Sequence, residues 1–264
     1  MVDVADWWVD GSAYENFMGR WSGRLAPEFV GWLGVASGLH WLDVGCGTGA
    51  LTRAIVSRAK PASVVGCDPT QAFIDFAQEN MGSEHVSFVT AGVDSLPHRS
   101  GGYDSVTSSF ALNFFPDPAG AVGKMRAAST KGGTVSSCVW DYSGRMEFLR
   151  VFWDAASRVD PNANLLDEGK RFPVCGRDAL VELFRDAGLR DIRCEPIEIA
   201  TNFASFEEYW RPFQGGPGPA PSYVASLEED LRAELSNDLE RALPTEADGS
   251  IRLTARAWAV RGSS

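Results

Sequence analysis

The 264-residue sequence is sparing with metal and redox ligands, and those it has are not spaced for either chemistry. Its five cysteines, Cys46, Cys67, Cys138, Cys175 and Cys194, are odd in number and never form C-x-x-C, so reduced thiols are expected. The three histidines, His40, His85 and His98, are scattered, H-E-x-x-H is missing, and no metal site is expected. No run of about 18 apolar residues occurs, which argues against a membrane span. Positive charge is scarce too: 24 Lys and Arg stand against 35 Asp and Glu, a net charge of −11. A surface of that sign repels phosphate backbones, and no Lys/Arg cluster offsets it, so nucleic acid is not an expected partner. The start, "MVDVADWWVD", lacks the basic segment of a secretory signal, and the cytoplasm is the expected location.

Apolar residues are plentiful at 44%, enough for a sizeable core. From Leu39 to about Trp140, short apolar runs alternate with helical segments. "LHWLDVG", "SVVGCD", "HVSFVTA", "YDSVTSSF" and "GGTVSSCVWDY" read as strands, and "ALTRAIVSRA", "TQAFIDFAQEN" and "PAGAVGKMRAAS" as helices between them. Such a beat predicts right-handed βαβ units and a parallel sheet. Past Tyr142 the pattern changes. Helices are expected over "MEFLRVFWDAASRV" and over "DALVELFRDAG", the latter closed by Gly188, followed by a strand over "LRDIRCEPIEIAT". Two further helices are expected from capping boxes, Ser205 with Glu208 and Ser226 with Glu229, the second repeating leucine at 227, 231, 235 and 239. "QGGPGPAP" between them reads as neither helix nor strand, and "IRLTARAWAV" at the end as a strand.

The segment "WLDVGCGTGA" sets three glycines in five positions after the first strand, where a ligand crevice is expected. Two ligand classes compete for it. Gly45, Gly47 and Ala50 satisfy the dinucleotide pattern G-x-G-x-x-G/A, with Asp68 following 23 residues after Gly45. That reading makes the chain an NAD(P)-dependent oxidoreductase, although no Tyr-x-x-x-Lys is present. The other reading adds Asp43. A carboxylate two residues before the first glycine is badly placed beside a pyrophosphate and well placed beside an α-amino group, which points to S-adenosylmethionine.

"LDVGCGTG", the strand ending at Asp68, "SLPHRSGGYDSVTSSFALNFFPDP" and "KGGTV", taken in order, resemble the class I S-adenosylmethionine-dependent methyltransferases. The small-molecule branch with the ubiquinone/menaquinone enzymes is the most similar, and "YENFMGRWS" resembles its leader. The resemblance covers roughly residues 14–141. It implies an α/β fold with a doubly wound, mostly parallel seven-stranded sheet of order 3-2-1-4-5-7-6, strand seven antiparallel, and helical lid insertions. It divides the chain into a helical leader closing over the cofactor (1–38), the cofactor-binding core (39–142), a lid and acceptor-pocket insertion (143–177) and a remainder completing the sheet (178–264), with a helical cap at 205–248.

The resemblance also assigns cofactor residues. Asp68 matches the acid gripping both ribose hydroxyls, bonds worth roughly 1.5–3 kcal/mol each; capping of the next helix is the alternative. Asp43 lies near the methionyl amino group or braces the loop. Gly45 and Gly47 let the backbone approach the tail, and Pro69 packs on adenine. Val93 and Asp94 read the adenine edge, with Gly92 standing where the family usually carries an acid. Ser109 and Phe110 face the methionyl tail, and Tyr14 and Arg20 close over the cofactor, Arg20 on its carboxylate. The implied activity is methyl transfer to a small, apolar or aromatic acceptor by in-line displacement, leaving S-adenosylhomocysteine. A non-catalytic S-adenosylmethionine-binding protein stays open as an alternative. No general base or other catalytic residue is assigned; His98, Asp141 and Tyr142 are weak candidates. Phe152, Trp153, Phe206, Trp210 and Phe213 suggest an apolar acceptor or form an ordinary core, with "QGGPGPAP" as a possible hinge.

Overall fold

The computed structural model describes residues 15–215 and 218–264. Trp7, Trp8 and Tyr14 of the leader lie outside the described residues, as do two positions of "QGGPGPAP". A π-helical turn at Glu15–Gly19 leads into α1 (Arg20–Leu33). There follow β1 (His40–Val44), α2 (Ala50–Ala59), β2 (Ser63–Asp68), α3 (Gln71–Met81), β3 (Val86–Thr90), β4 (Tyr103–Ser109), α4 (Pro118–Ala128) and β5 (Ser129–Trp140). The second half holds α5 (Glu147–Val159), α6 (Glu168–Arg171), α7 (Arg177–Asp186), β6 (Arg190–Phe203), α8 (Phe206–Trp210), α9 (Pro219–Ser226), α10 (Glu229–Ala242) and β7 (Ile251–Ser263).

The seven strands form one sheet in the order β3-β2-β1-β4-β5-β7-β6. β1 pairs in parallel with β2 and β4, β2 with β3, and β4 with β5. β7 runs the other way. The Gly132 amide donates to Ser264 while the Asp141 amide donates to Arg256, so partner numbers fall as the β5 number rises. This is the architecture expected from the sequence. The chain order reverses between β1 and β4, and ligands of doubly wound sheets bind beyond the strand ends at such a point.

Two compact units make up the chain. The larger, Ser22–Val139 with Val174–Ile197 and Trp258–Ser264, holds most of the sheet. Its inner strands are buried on both faces: Trp41, Leu42 and Val44 on β1, Val106 on β4, and Val135, Cys138 and Val139 on β5 are 1% exposed or less. The second, Met1–Trp21 with Trp140–Pro173 and Glu198–Ala257, is built on rings. In α5 the stripe Phe148, Leu149, Phe152, Trp153, Ala155 and Ala156 is buried at helical spacing. Phe152 stacks on Phe213 at 4.5 Å and 6°, and Phe148, Phe17, Trp21 and Phe203 meet at 5–6.5 Å. The aromatic residues that suggested an acceptor pocket are therefore packed on one another as a core.

Two expectations are corrected. Ser226 does not open α10: it ends α9, donating its hydroxyl to the Tyr223 carbonyl, and Glu228 takes the cap position. "QGGPGPAP" does contribute to a helix, because α9 starts at Pro219. Proline suits a first turn, where its missing N–H has no partner to lose and its fixed φ is already helical. The Ser205 cap of α8 is present, its hydroxyl accepting from the Glu208 amide at 3.3 Å.

Candidate cofactor-binding site

The larger unit gathers β1, the glycine loop, β2 and the turn after β4 at the carboxyl ends of its parallel strands. The loop leaves β1 on a pair of bonds, the amides of Gly45 and Cys46 both donating to the Cys67 carbonyl at 2.8 and 3.0 Å. Gly45, Gly47 and Gly49 all take left-handed φ, 71°, 52° and 88°. Their reasons differ. A Cβ on Gly45 would lie 2.6 Å from that of Ala111, so this glycine lets the turn after β4 press against the loop. A Cβ on Gly47 would meet nothing within 4 Å, so the backbone there is bare toward open space.

Asp43, at the end of β1, is fully buried. Its Oδ2 accepts from the Thr52 hydroxyl at 2.7 Å, while Oδ1 has no hydrogen-bond partner among the described residues. One oxygen thus braces the loop against α2 and the other is left over. Burial raises its pKa from 3.8 to about 7; the Thr52 bond opposes the rise and the Asp68 charge adds to it. Asp68, at the end of β2, is 8% exposed. It holds the two loops together, accepting from the Gly47 amide at 3.1 Å and from the Thr70 amide at 2.9 Å. Burial pushes its pKa up and those backbone amides pull it down. Each Asp68 oxygen keeps accepting capacity, since a carboxylate oxygen takes about two bonds. Neither carboxylate forms an ion pair among the described residues.

The other expected site residues fall as follows. Pro69 is exposed beside Asp68, and Val93 lies in a half-buried 3₁₀ turn. Asp94 sits on the surface, its side chain 84% exposed and paired with Lys124. Ser109 ends β4 with a hydroxyl that has no hydrogen-bond partner among the described residues, and Phe110 follows at φ 59°, a left-handed conformation that a bulky residue adopts only under constraint. Arg20 belongs to the ring-rich unit. There it pairs with Glu208 at 3.2 Å and lies over the rings of Trp21 and Phe203. Asp141 pairs with Arg256, Tyr142 is buried beside Phe172, and His98 is exposed. Reasoning from sequence missed Thr52 as the partner of Asp43, nine residues on, and Asn113 in the turn after Phe110. Asn113 was visible as a polar residue inside the apolar stretch "FALNFF".

All five cysteines are buried free thiols, and burial keeps Cys46 and Cys67, beside the site, protonated. Among the described residues no group of three or more His, Cys, Asp or Glu is arranged to hold a metal ion, and no helix is long and apolar enough to cross a membrane.

Residues 42–133, which contain this site, match the family described as "Methyltransferase domain". The match spans about a third of the chain. Over 180 residues it is 26% identical to the demethylmenaquinone methyltransferase of Anoxybacillus flavithermus, covering 62% of this chain and 75% of that one. Among solved structures, phosphoethanolamine N-methyltransferase 2 of Haemonchus contortus, in complex with S-adenosyl-L-methionine, superposes with a TM-score of 0.60 at 17% identity, over 96% of this chain and 56% of that one. The [4+2]-cyclase SpnF superposes with a TM-score of 0.54 at 16% identity, over 99% and 88%. At these identities the superpositions show the fold.

Proposed function

We propose that this methyltransferase domain transfers the methyl group of S-adenosylmethionine to a small, apolar or aromatic organic acceptor. One observation carries the reading: two buried carboxylates flank the glycine loop with no cation on either of them among the described residues. Buried charges are expensive unless paired, and S-adenosylmethionine brings an ammonium and a sulfonium. The residues fit it. Asp43 has an unmatched oxygen for the ammonium, Asp68 has accepting capacity for the ribose hydroxyls, and Gly47 presents bare backbone to the tail. Pro69 and Val93 would flank adenine, and Ser109 and Phe110 would border the tail. Asp94 would have to leave Lys124 to contribute, and Arg20 would have to leave Glu208.

When bound, S-adenosylmethionine supplies an electrophilic methyl that an acceptor atom takes by in-line displacement. The chain's work is then to hold the two partners in line and keep water out, which can contribute on the order of 7–11 kcal/mol of barrier lowering. That the acceptor is quinone-like is supported by the name of the Anoxybacillus relative and by nothing else in the site. Calorimetry tests the cofactor: S-adenosylmethionine or S-adenosylhomocysteine binds at micromolar level and NAD does not, and the reverse order would overturn the reading. The fold is also that of the [4+2]-cyclase SpnF, so the fold by itself does not require methyl transfer, and the second reading is a protein that binds the cofactor without turnover. Release of S-adenosylhomocysteine across a panel of small phenols, quinols and amines decides between the two.

A further inference from the structure

The turn that follows β4 holds an amide that the fold does not use. Asn113 lies on the 3₁₀ turn Leu112–Phe114 and is 6% exposed, yet neither Nδ2 nor Oδ1 has a hydrogen-bond partner among the described residues. A buried amide without partners weakens the fold that contains it. The same short stretch carries the unmatched Ser109 hydroxyl and the left-handed Phe110. Strain and unmatched polar groups persist where a site requires them. The turn is also pressed onto the glycine loop, since Ala111 and Phe115 are the nearest atoms to any Cβ on Gly45. Asn113 thus belongs to the ligand-facing end of the larger unit.

We propose that Asn113 binds the methyl acceptor, its amide hydrogen-bonding a neutral hydroxyl or carbonyl on an aromatic acceptor. This rests on the methyltransferase reading above and adds a recognition group to it. The chemistry selects the acceptor over the cofactor. The cofactor's cationic and ribose groups suit the carboxylates Asp43 and Asp68, whereas a neutral amide offers a donor and an acceptor side by side. A phenolic hydroxyl presents the matching pair, accepting from Nδ2 and donating to Oδ1. An amide has no useful basicity near neutrality, so Asn113 orients the hydroxyl and takes no proton.

The test compares the wild type with Asn113→Leu. Each is titrated calorimetrically with S-adenosylhomocysteine, and each resulting complex with 1,4-naphthohydroquinone kept reduced. S-adenosylhomocysteine is expected to bind both proteins within threefold, and the hydroquinone to bind the variant about tenfold more weakly. The melting temperature of Asn113→Leu should equal or exceed that of the wild type, because an unmatched buried amide has been removed. If leucine overpacks the turn, Asn113→Ala is read the same way. A loss of S-adenosylhomocysteine affinity beyond threefold assigns the amide to the cofactor and overturns the proposal. Hydroquinone affinities within threefold of each other, no hydroquinone binding to the wild type, or a lower melting temperature in both variants also overturn it. A wild-type protein that fails to bind S-adenosylhomocysteine sinks the cofactor reading instead, so the two failures are separable.

Discussion

The two units treat buried carboxylates in opposite ways. In the ring-rich unit, Asp141 accepts from Arg256 Nε at 2.7 Å and from the Arg145 amide at 3.1 Å, and Asp167 is clasped by Nη1 and Nη2 of Arg150. In the larger unit, Asp43 and Asp68 are buried too and, among the described residues, have a hydroxyl and backbone amides but no cation. A carboxylate closed by arginine is finished when the chain folds. One without a cation stores an unfavourable interaction that an incoming cation relieves. The contrast separates acids that hold the structure from acids that await a ligand, although all four are buried aspartates.

The sharpest way to break that contrast is to delete one acid from each side. Asp68→Ala should cost roughly 2–5 kcal/mol of S-adenosylmethionine affinity by calorimetry, in line with losing bonds to a charged group. Its melting temperature should move by only a few degrees. Asp141→Ala should show the opposite balance. It strands Arg256, whose side chain keeps 26% exposure, so the loss of stability should be about 1–3 kcal/mol, a fall of roughly 2–10 °C in scanning calorimetry. If Asp68→Ala unfolds the protein while Asp141→Ala leaves the melting temperature untouched, the division between the two kinds of acid is wrong.

Part of that division was legible in the sequence. The strands β1 to β5 and the loop at Gly45–Gly49 could be read because short apolar runs alternate with helical segments, a purely local pattern, whereas the order of the strands in the sheet came from the family resemblance. Asp68 was legible because the strand it ends is itself visible. The partners were not. Thr52 reaches Asp43 only because the loop folds back, and Glu208 reaches Arg20 across 188 residues. Whether an acid has a cation depends on such contacts, so the sequence could name the carboxylates and not sort them. Ser226 shows the converse error: its S-x-x-E spacing satisfies a capping box, but Pro219 starts a helix earlier and Ser226 becomes that helix's end.

A subtler test sharpens the meaning of an acid without a cation. The Asp43 carboxyl has its folded pKa raised to about 7 from 3.8. Its contribution to stability is therefore full below about pH 3.8, declines as pH rises, and is gone above about 7. A bound ammonium favours the ionised form and lowers that pKa, so binding should release a proton between these limits. S-adenosylmethionine affinity should rise toward pH 7 and then level off. Calorimetry at pH 6 in two buffers of different ionisation enthalpy reads the proton count directly. Asp43→Asn should abolish both the proton release and the pH dependence; if either persists unchanged, Asp43 does not face the cation.

Glu168 is the smallest and most informative exception. It lies in the ring-rich unit, 4% exposed, and accepts the Trp153 indole N–H, but forms no ion pair among the described residues. Burial raises its pKa from 4.5 to about 7; the neighbouring Asp167 adds to the rise, and its hydrogen bonds and Arg150 oppose it. The sign is that of Asp43: stability is full below about pH 4.5 and lost as pH rises through 7. Glu168→Gln keeps an oxygen for the indole and removes the ionisation, so at pH 8 it should melt a few degrees above the wild type, and at pH 5 with it. S-adenosylhomocysteine affinity should stay within threefold at both values. A variant that gains stability but loses ligand affinity would place a second unpaired acid in the binding process, and the line drawn between the two units would have to move.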